Sequence, residues 1–280
     1  MSRAFEDHIE VPAKFGTVMV IEKEFGLQGA RDWAAVAGSI ADIVKTTFGT
    51  AALYEEELLR EKIAAYNGAG IATMTGGTLT EVAILEAGGY SKADLKGYLN
   101  YTRSLGFTHL EFSDGSIFIP EDDRRNIIRM CMDAGFRVIS EVGKKDPRKD
   151  ALLSREHRIE LMNKDLESGA EMVIIEARES GKGLGVMGKG GEVLFEELDL
   201  IIQAVGLENT MIEAPEKSQQ QNIFMHYGPG ANIGNVQPRD VLSVGALRSG
   251  LRGDTIAALR QDIWKSYHRS VKAPKEYGSP

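Results

Sequence analysis

The chain has 280 residues, 42% of them hydrophobic, and a formal net charge of −8. That length can bury one large core, and the acidic balance argues against a dedicated nucleic-acid or anionic-membrane binder, because phosphate binding needs a basic surface. One cysteine, Cys131, excludes an intramolecular disulfide and argues against a cysteine-built metal cluster.

From the start of the chain, "MSRAFEDHIEVPAKFG" contains no apolar core of the signal-peptide kind, and no later run reaches the ~18 apolar residues of a membrane span. A cytoplasmic protein is expected. Residues 1–14 read as an arm, 15–270 as one domain and 271–280 as a tail. Short β-branched runs then alternate with helical patterns. The candidate strands are 17–22, 42–47, 70–75, 108–113, 137–142, 171–177, 209–214 and 231–236. Among the helical stretches between them are 51–66, 91–106, 121–135, 154–169 and 194–206. Cys131 falls in "IIRMCMDAGF", a helical pattern that predicts a buried thiol. Strict alternation with eight strands implies parallel strands and crossover helices, and so a single (β/α)8 barrel of the TIM type.

Strands covered on both faces should be nearly all apolar. Here ionisable residues recur toward the C-terminal halves: Glu22 and Lys23, Lys45, Glu111, Glu141, Glu176 with Arg178, and Glu213. Asp114, Lys144, Lys145 and Lys217 follow just beyond. In a barrel those ends open onto one rim, where active sites are built. A carboxylate facing the helix layer would be desolvated without a partner, so inward positions are expected. Alternation puts Glu141, Gly143 and roughly Lys145 on one face of the fifth strand. Several carboxylates beside several cations suggest a hard divalent ion, Mg2+, and a polyanionic substrate. The five histidines show no metal-ligand spacing. "ESGKGLGVMGKGGEV" (179–193) reads as a mobile lid. "GPGANIGNV" (228–236) and "RSGLRGDT" (248–255) fall at and after the eighth strand, where barrels often bind phosphate.

The segments "GGTLTE", "EFSDGSI", "SEVGKKDP", "VIIEARESG", "IEAPEKSQQ", "NIGNV" and "LRSGLRGDT" resemble, in the same order, those of the phosphosulfolactate synthase family. These are the coenzyme M biosynthesis enzymes that add sulfite to phosphoenolpyruvate. The resemblance implies a Mg2+-dependent (β/α)8 barrel, with Glu141, Glu176 and Glu213 on the metal. Lys144 or Lys145, with parity tilting toward Lys145, would be the acid that protonates the alpha carbon. Lys23, Lys45, Arg178, Lys217, Asn235 and Arg252 would hold the substrate anions. A homo-oligomer is expected. The chain departs from the family pattern at Glu22-Lys23-Glu24, at Thr46-Thr47, at Thr80 and at Gly245, positions expected at the rim. The alternatives are another nucleophile or phosphorylated acid on the same scaffold, a Schiff-base aldolase, and a non-catalytic stress-protection relative.

Overall fold

The computed structural model describes residues 8–9, 15–177 and 179–270; the tail 271–280, Arg178 and all of the arm but His8 and Ile9 lie outside the described residues. The elements run β1 (Val18–Glu22), α1 (Leu27–Ala37), β2 (Ile43–Thr46), α2 (Glu56–Gly68), β3 (Ala72–Thr75), α3 (Gly77–Ala87), α4 (Lys92–Ser104), β4 (His109–Phe112), α5 (Glu121–Asp133) and β5 (Arg137–Val142). They continue with α6 (Pro147–Asp150), α7 (Arg155–Glu167), β6 (Met172–Ile175), α8 (Phe195–Val205), β7 (Thr210–Glu213), α9 (Lys217–Tyr227), β8 (Asn232–Val236), α10 (Val241–Arg248), α11 (Gly253–Leu259) and α12 (Gln261–Ser270). The strands close in sequence order into an eight-stranded barrel, parallel at every pairing. All eight predicted strands form, and the fold is the expected (β/α)8 barrel.

Strand alternation sorts the core into two layers. Met19, Ile43, Met74, Ile139, Met172, Ile174 and Met211 pack together as the apolar interior of the barrel. The residues between them, such as Val18, Val20, Val44, Val173, Ile175 and Ile212, pack outward with the helices. The helices packed on the barrel, such as α2, α3 and α5, offer the matching stripe. On α5 the buried residues are Arg124, Ile127, Ile128 and Cys131, the i, i+3, i+4, i+7 spacing of one helical face. Full burial of each of those isoleucines is worth about 1.5–3 kcal/mol. Glu121, Asp122 and Asp123 fill the first turn of α5, where negative charge suits the helix dipole. Burial pushes the Cys131 thiol up to about 12, so it is an inert core residue, as predicted.

Four expectations are corrected. The helical stretch 51–66 is split into a short 3-10 turn at Thr50–Leu53 and α2, with Tyr54 extended between them. Glu22 does not face the interior. It lies on the outward side with Val18 and Val20, and has the partners that make this tolerable: Lys62 at 3.0 Å and the Tyr66 hydroxyl at 2.8 Å. The 179–193 segment is not a free lid. Its Leu184, Val186, Met187 and Val193 are buried in the core. Gln219 Nε2 donates to Gly181 O and Gly191 O, and Gly185 N donates to Asp150. Swinging the whole segment would expose those apolar side chains. Gly245 sits far along α10 against Ile40, which precedes β2, and so at the end of the barrel away from the rim.

Candidate active site

The same alternation that fills the lower interior with apolar side chains lifts charged ones above it. Lys45 follows Ile43 by two residues, Glu141 follows Ile139, Glu176 follows Ile174 and Glu213 follows Met211, so each stands one layer higher on the inner face. Glu111, two residues beyond His109 on β4, joins them. The result is a cavity of about 490 Å³ at the C-terminal ends of the strands, lined by these five, Lys145 and Asn235, with Thr47, Phe48, Gly77, Thr78, Glu179 and Ser180 around them.

The two lysines bind opposite sides of the carboxylate group. Lys45 Nζ donates to Glu111 Oε2 at 2.7 Å and lies 3.5 Å from Glu213 Oε1. Lys145 Nζ donates to Glu141 Oε1 at 3.0 Å and to Glu176 Oε2. Glu111 also accepts the Gly77 N–H at the start of α3, and Glu213 accepts the Ala177 N–H. One oxygen each from Glu141, Glu176 and Glu213 lies within 4.8 Å of the other two. An octahedral Mg2+ with oxygens at ~2.1 Å has donors about 3–4.2 Å apart, and this hard-oxygen set lies near that spacing and could hold such an ion.

Among the described residues, four buried carboxylates face two ammonium groups in the cavity, and the pKa shifts record the excess of negative charge. Burial alone would lower Lys45, but Glu111, Glu213 and Glu141 outweigh it and hold the amine above the ordinary lysine value. Lys145 is raised in the same way, against burial, by Glu141 and Glu176. Burial opposes ionisation of Glu141 too, yet Lys145 and Lys45 bring it down to about 2. Glu176 moves the other way: burial, then repulsion from Glu141 and Glu213, raises it well above the carboxylate range. The repulsion within the group thus falls most heavily on Glu176.

Two backbone features shape the site. Gly143 has φ +149, and a Cβ there would meet Glu176 Cβ at 2.6 Å, which explains the glycine between Glu141 and the two lysines. On β8 the register slips between Val18↔Ile233 and Val20↔Val236, which inserts one extra residue. Asn235 takes the left-handed conformation there, φ 55, which asparagine tolerates, and so lines the cavity. Its Oδ1 is buried and has no hydrogen-bond partner among the described residues.

Of the site residues read from sequence, Glu141, Glu176, Glu213, Lys45, Lys145 and Asn235 are brought together. Lys23 stands at the mouth, paired with Glu179 and 5.1 Å above the Phe48 ring. Lys144 is not in the cavity. It donates to the Asp114 carboxylate at 2.7 Å, and Asp114 in turn holds Arg124. Lys217 is exposed at the start of α9, 4.0 Å from Asp240. Arg252 pairs with Asp254 at 2.6 Å, and neither it nor Lys217 lines the cavity. Arg178 lies outside the described residues. Thr47, Phe48, Gly77, Thr78, Glu179 and Ser180 had no assigned role, although "GGTLTE" and "EARESG" contain four of them.

A closed parallel barrel whose charged side chains converge at the C-terminal ends of its strands defines a barrel enzyme. The family model for (2R)-phospho-3-sulfolactate synthase (ComA) matches residues 6–254, and the chain belongs to that family. It is 42% identical to a phosphosulfolactate synthase of Methanocaldococcus jannaschii over 86% of this chain and 93% of the relative. Another from Methanothermobacter thermautotrophicus is 37% identical, over 88% and 93%. The protein is an enzyme of the class that forms carbon–sulfur bonds. Among solved structures, 3-hexulose-6-phosphate synthase from Salmonella typhimurium superposes with a TM-score of 0.53 at 12% identity, covering 88% of this chain and 99% of that one. That likeness is one of fold alone.

Proposed function

We propose that the cavity joins sulfite to phosphoenolpyruvate, giving phosphosulfolactate, with Mg2+ held by Glu141, Glu176 and Glu213. The observation that carries this reading is the surplus of buried carboxylate at the top of the barrel. It suits a divalent ion and is hard to reconcile with an inert plug. Asn235 Oδ1, unpartnered among the described residues, adds an oxygen of the kind Mg2+ or its bound water takes. When bound, the ion supplies positive charge beside the substrate carboxylate as negative charge builds there.

The sulfur lone pair of sulfite forms a bond to the methylene carbon of phosphoenolpyruvate. The alkene electron pair moves toward the neighbouring carbon and its carboxylate, and a proton then restores that carbon to sp3. Lys45 at the cavity floor and Lys23 at its mouth offset the charge of the two anions. Lys145, which strand parity favours over Lys144 for the acid role that the resemblance implies, brings an ammonium into the cavity beside that of Lys45. Its place among carboxylates keeps it charged, which argues against the neutral amine that a Schiff-base aldolase needs.

The test is to incubate the enzyme with phosphoenolpyruvate, sulfite and Mg2+ in deuterated water and to analyse the product by mass spectrometry. Phosphosulfolactate carrying one deuterium at the alpha carbon, lost on chelation, is expected. Turnover unaffected by chelation would remove the metal from the account, and no product would remove the reaction.

A further inference from the structure

Lys45 and Lys145 make the same kind of contact but differ in freedom. The Lys45 side chain is 5% exposed and fixed between Glu111 and Glu213. The Lys145 side chain is 31% exposed and approaches Glu141 and Glu176 from the open side. Its main chain is tied, since Lys145 N donates to Gly115 O at 3.0 Å. Its stem runs over Gly115, where a Cβ would stand only 2.9 Å from Lys145 Cγ. The absent side chain at 115 leaves the path that the stem occupies.

The oxygens that Lys145 binds belong to two of the three carboxylates that converge within 4.8 Å. An ammonium at hydrogen-bond distance and a divalent ion at ~2.1 Å would draw on the same two carboxylates and repel each other at close range. We infer that Lys145 is a resident counter-ion: its ammonium occupies the cation position between Glu141 and Glu176, and it leaves them for the cavity when a divalent ion binds. This rests on the Mg2+ reading proposed above. Lys145 thus has two roles in turn. Before metal arrives it holds the carboxylates together, and afterwards it faces the substrate. Binding then has an order, metal before the polyanion, because the lysine is released only by the first.

The test is isothermal titration of Mg2+ alone into the wild type, Lys145→Met, Gly115→Ala and Lys144→Met. Removal of the competing ammonium should tighten Mg2+ binding about tenfold or more in Lys145→Met. Gly115→Ala keeps the charge but crowds the stem, so a smaller tightening is expected; it also answers the question if Lys145→Met fails to fold. Lys144→Met should match the wild type, because that lysine binds Asp114 instead. Unchanged or weaker Mg2+ binding in Lys145→Met and Gly115→Ala, beside measurable binding by the wild type, would overturn the counter-ion role alone. No Mg2+ binding by any of the four proteins would overturn the metal reading itself.

Discussion

Two buried ionic clusters lie on either side of β5, and they differ in charge balance. Behind the strand, Arg124 forks onto Asp165 with contacts of 2.6–3.0 Å, donates to Asp114 at 2.8 Å and to the Glu141 carbonyl at 2.8 Å, and stacks on Phe112 at 5.0 Å. With Lys144 on Asp114, two cations meet two anions at hydrogen-bond distance. Inside the barrel, among the described residues, two cations meet four carboxylates. The first cluster is complete as it stands and holds the wall of the site. The second, among the described residues, is short of positive charge. Burial of ionic groups is therefore not what marks the functional centre; the uncompensated charge is.

The largest expected effect is on turnover. Lys145→Met keeps the apolar stem but removes the transferable proton, and activity should fall by about 100- to 10,000-fold in a steady-state assay while the fold and Mg2+ binding persist. Activity within a few-fold of wild type would shift the acid elsewhere, with Lys45 next.

The two clusters should then separate by stability. Arg124→Met strands Asp165 in the core and is expected to cost roughly 3–5 kcal/mol in denaturant unfolding. Glu176→Gln relieves repulsion and should leave stability equal or raised, yet lose Mg2+ affinity in titration. A similar stability loss in both variants would erase the distinction.

At the opposite end of β4, burial and then Arg137 lower the His109 pKa to about 4, from 6.5. Glu171 lies 3.7 Å from the ring but does not outweigh them. The unfolded chain therefore binds a proton below pH 6.5 that the native one refuses until about 4, and stability falls as pH drops through that window. The stability gap between wild type and His109→Gln should change by up to about 3 kcal/mol between pH 7 and pH 4. A constant gap would mean that the ring titrates normally.

Lys144→Met should have the smallest effect, no more than about 1 kcal/mol of stability for a partly exposed pair. A catalytic loss as deep as that of Lys145→Met would put Lys144 back in the site.

Much of the site was legible because period two is strict on a barrel strand. Ile139–Glu141 and Ile174–Glu176 can be read inward once the apolar partner is known, and the same parity favoured Lys145 over Lys144. What escaped depended on partners distant in sequence or on local breaks in the period. Glu22 points outward because Lys62 and Tyr66, some forty residues later, receive it there. Asn235 was named only through the family resemblance, because it reaches the cavity through a bulge that alternation alone does not predict. The glycine-rich 179–193 segment carries the apolar residues Leu184, Val186 and Met187, and these, not its glycines, decided its packing. Lys217 and Arg252 lie in the right segments, but their side chains do not line the cavity.

The account turns on where a divalent ion binds. Crystals soaked in Mn2+ as a stand-in for Mg2+, with data collected near the manganese edge, give that position directly. An anomalous peak is expected among Glu141, Glu176 and Glu213, about 2.2 Å from an oxygen of each, with the Lys145 ammonium withdrawn from Glu141 and Glu176. A peak elsewhere on the molecule, or none while Lys145 keeps both carboxylates, would contradict the claim that this unbalanced cluster is the metal centre of the enzyme.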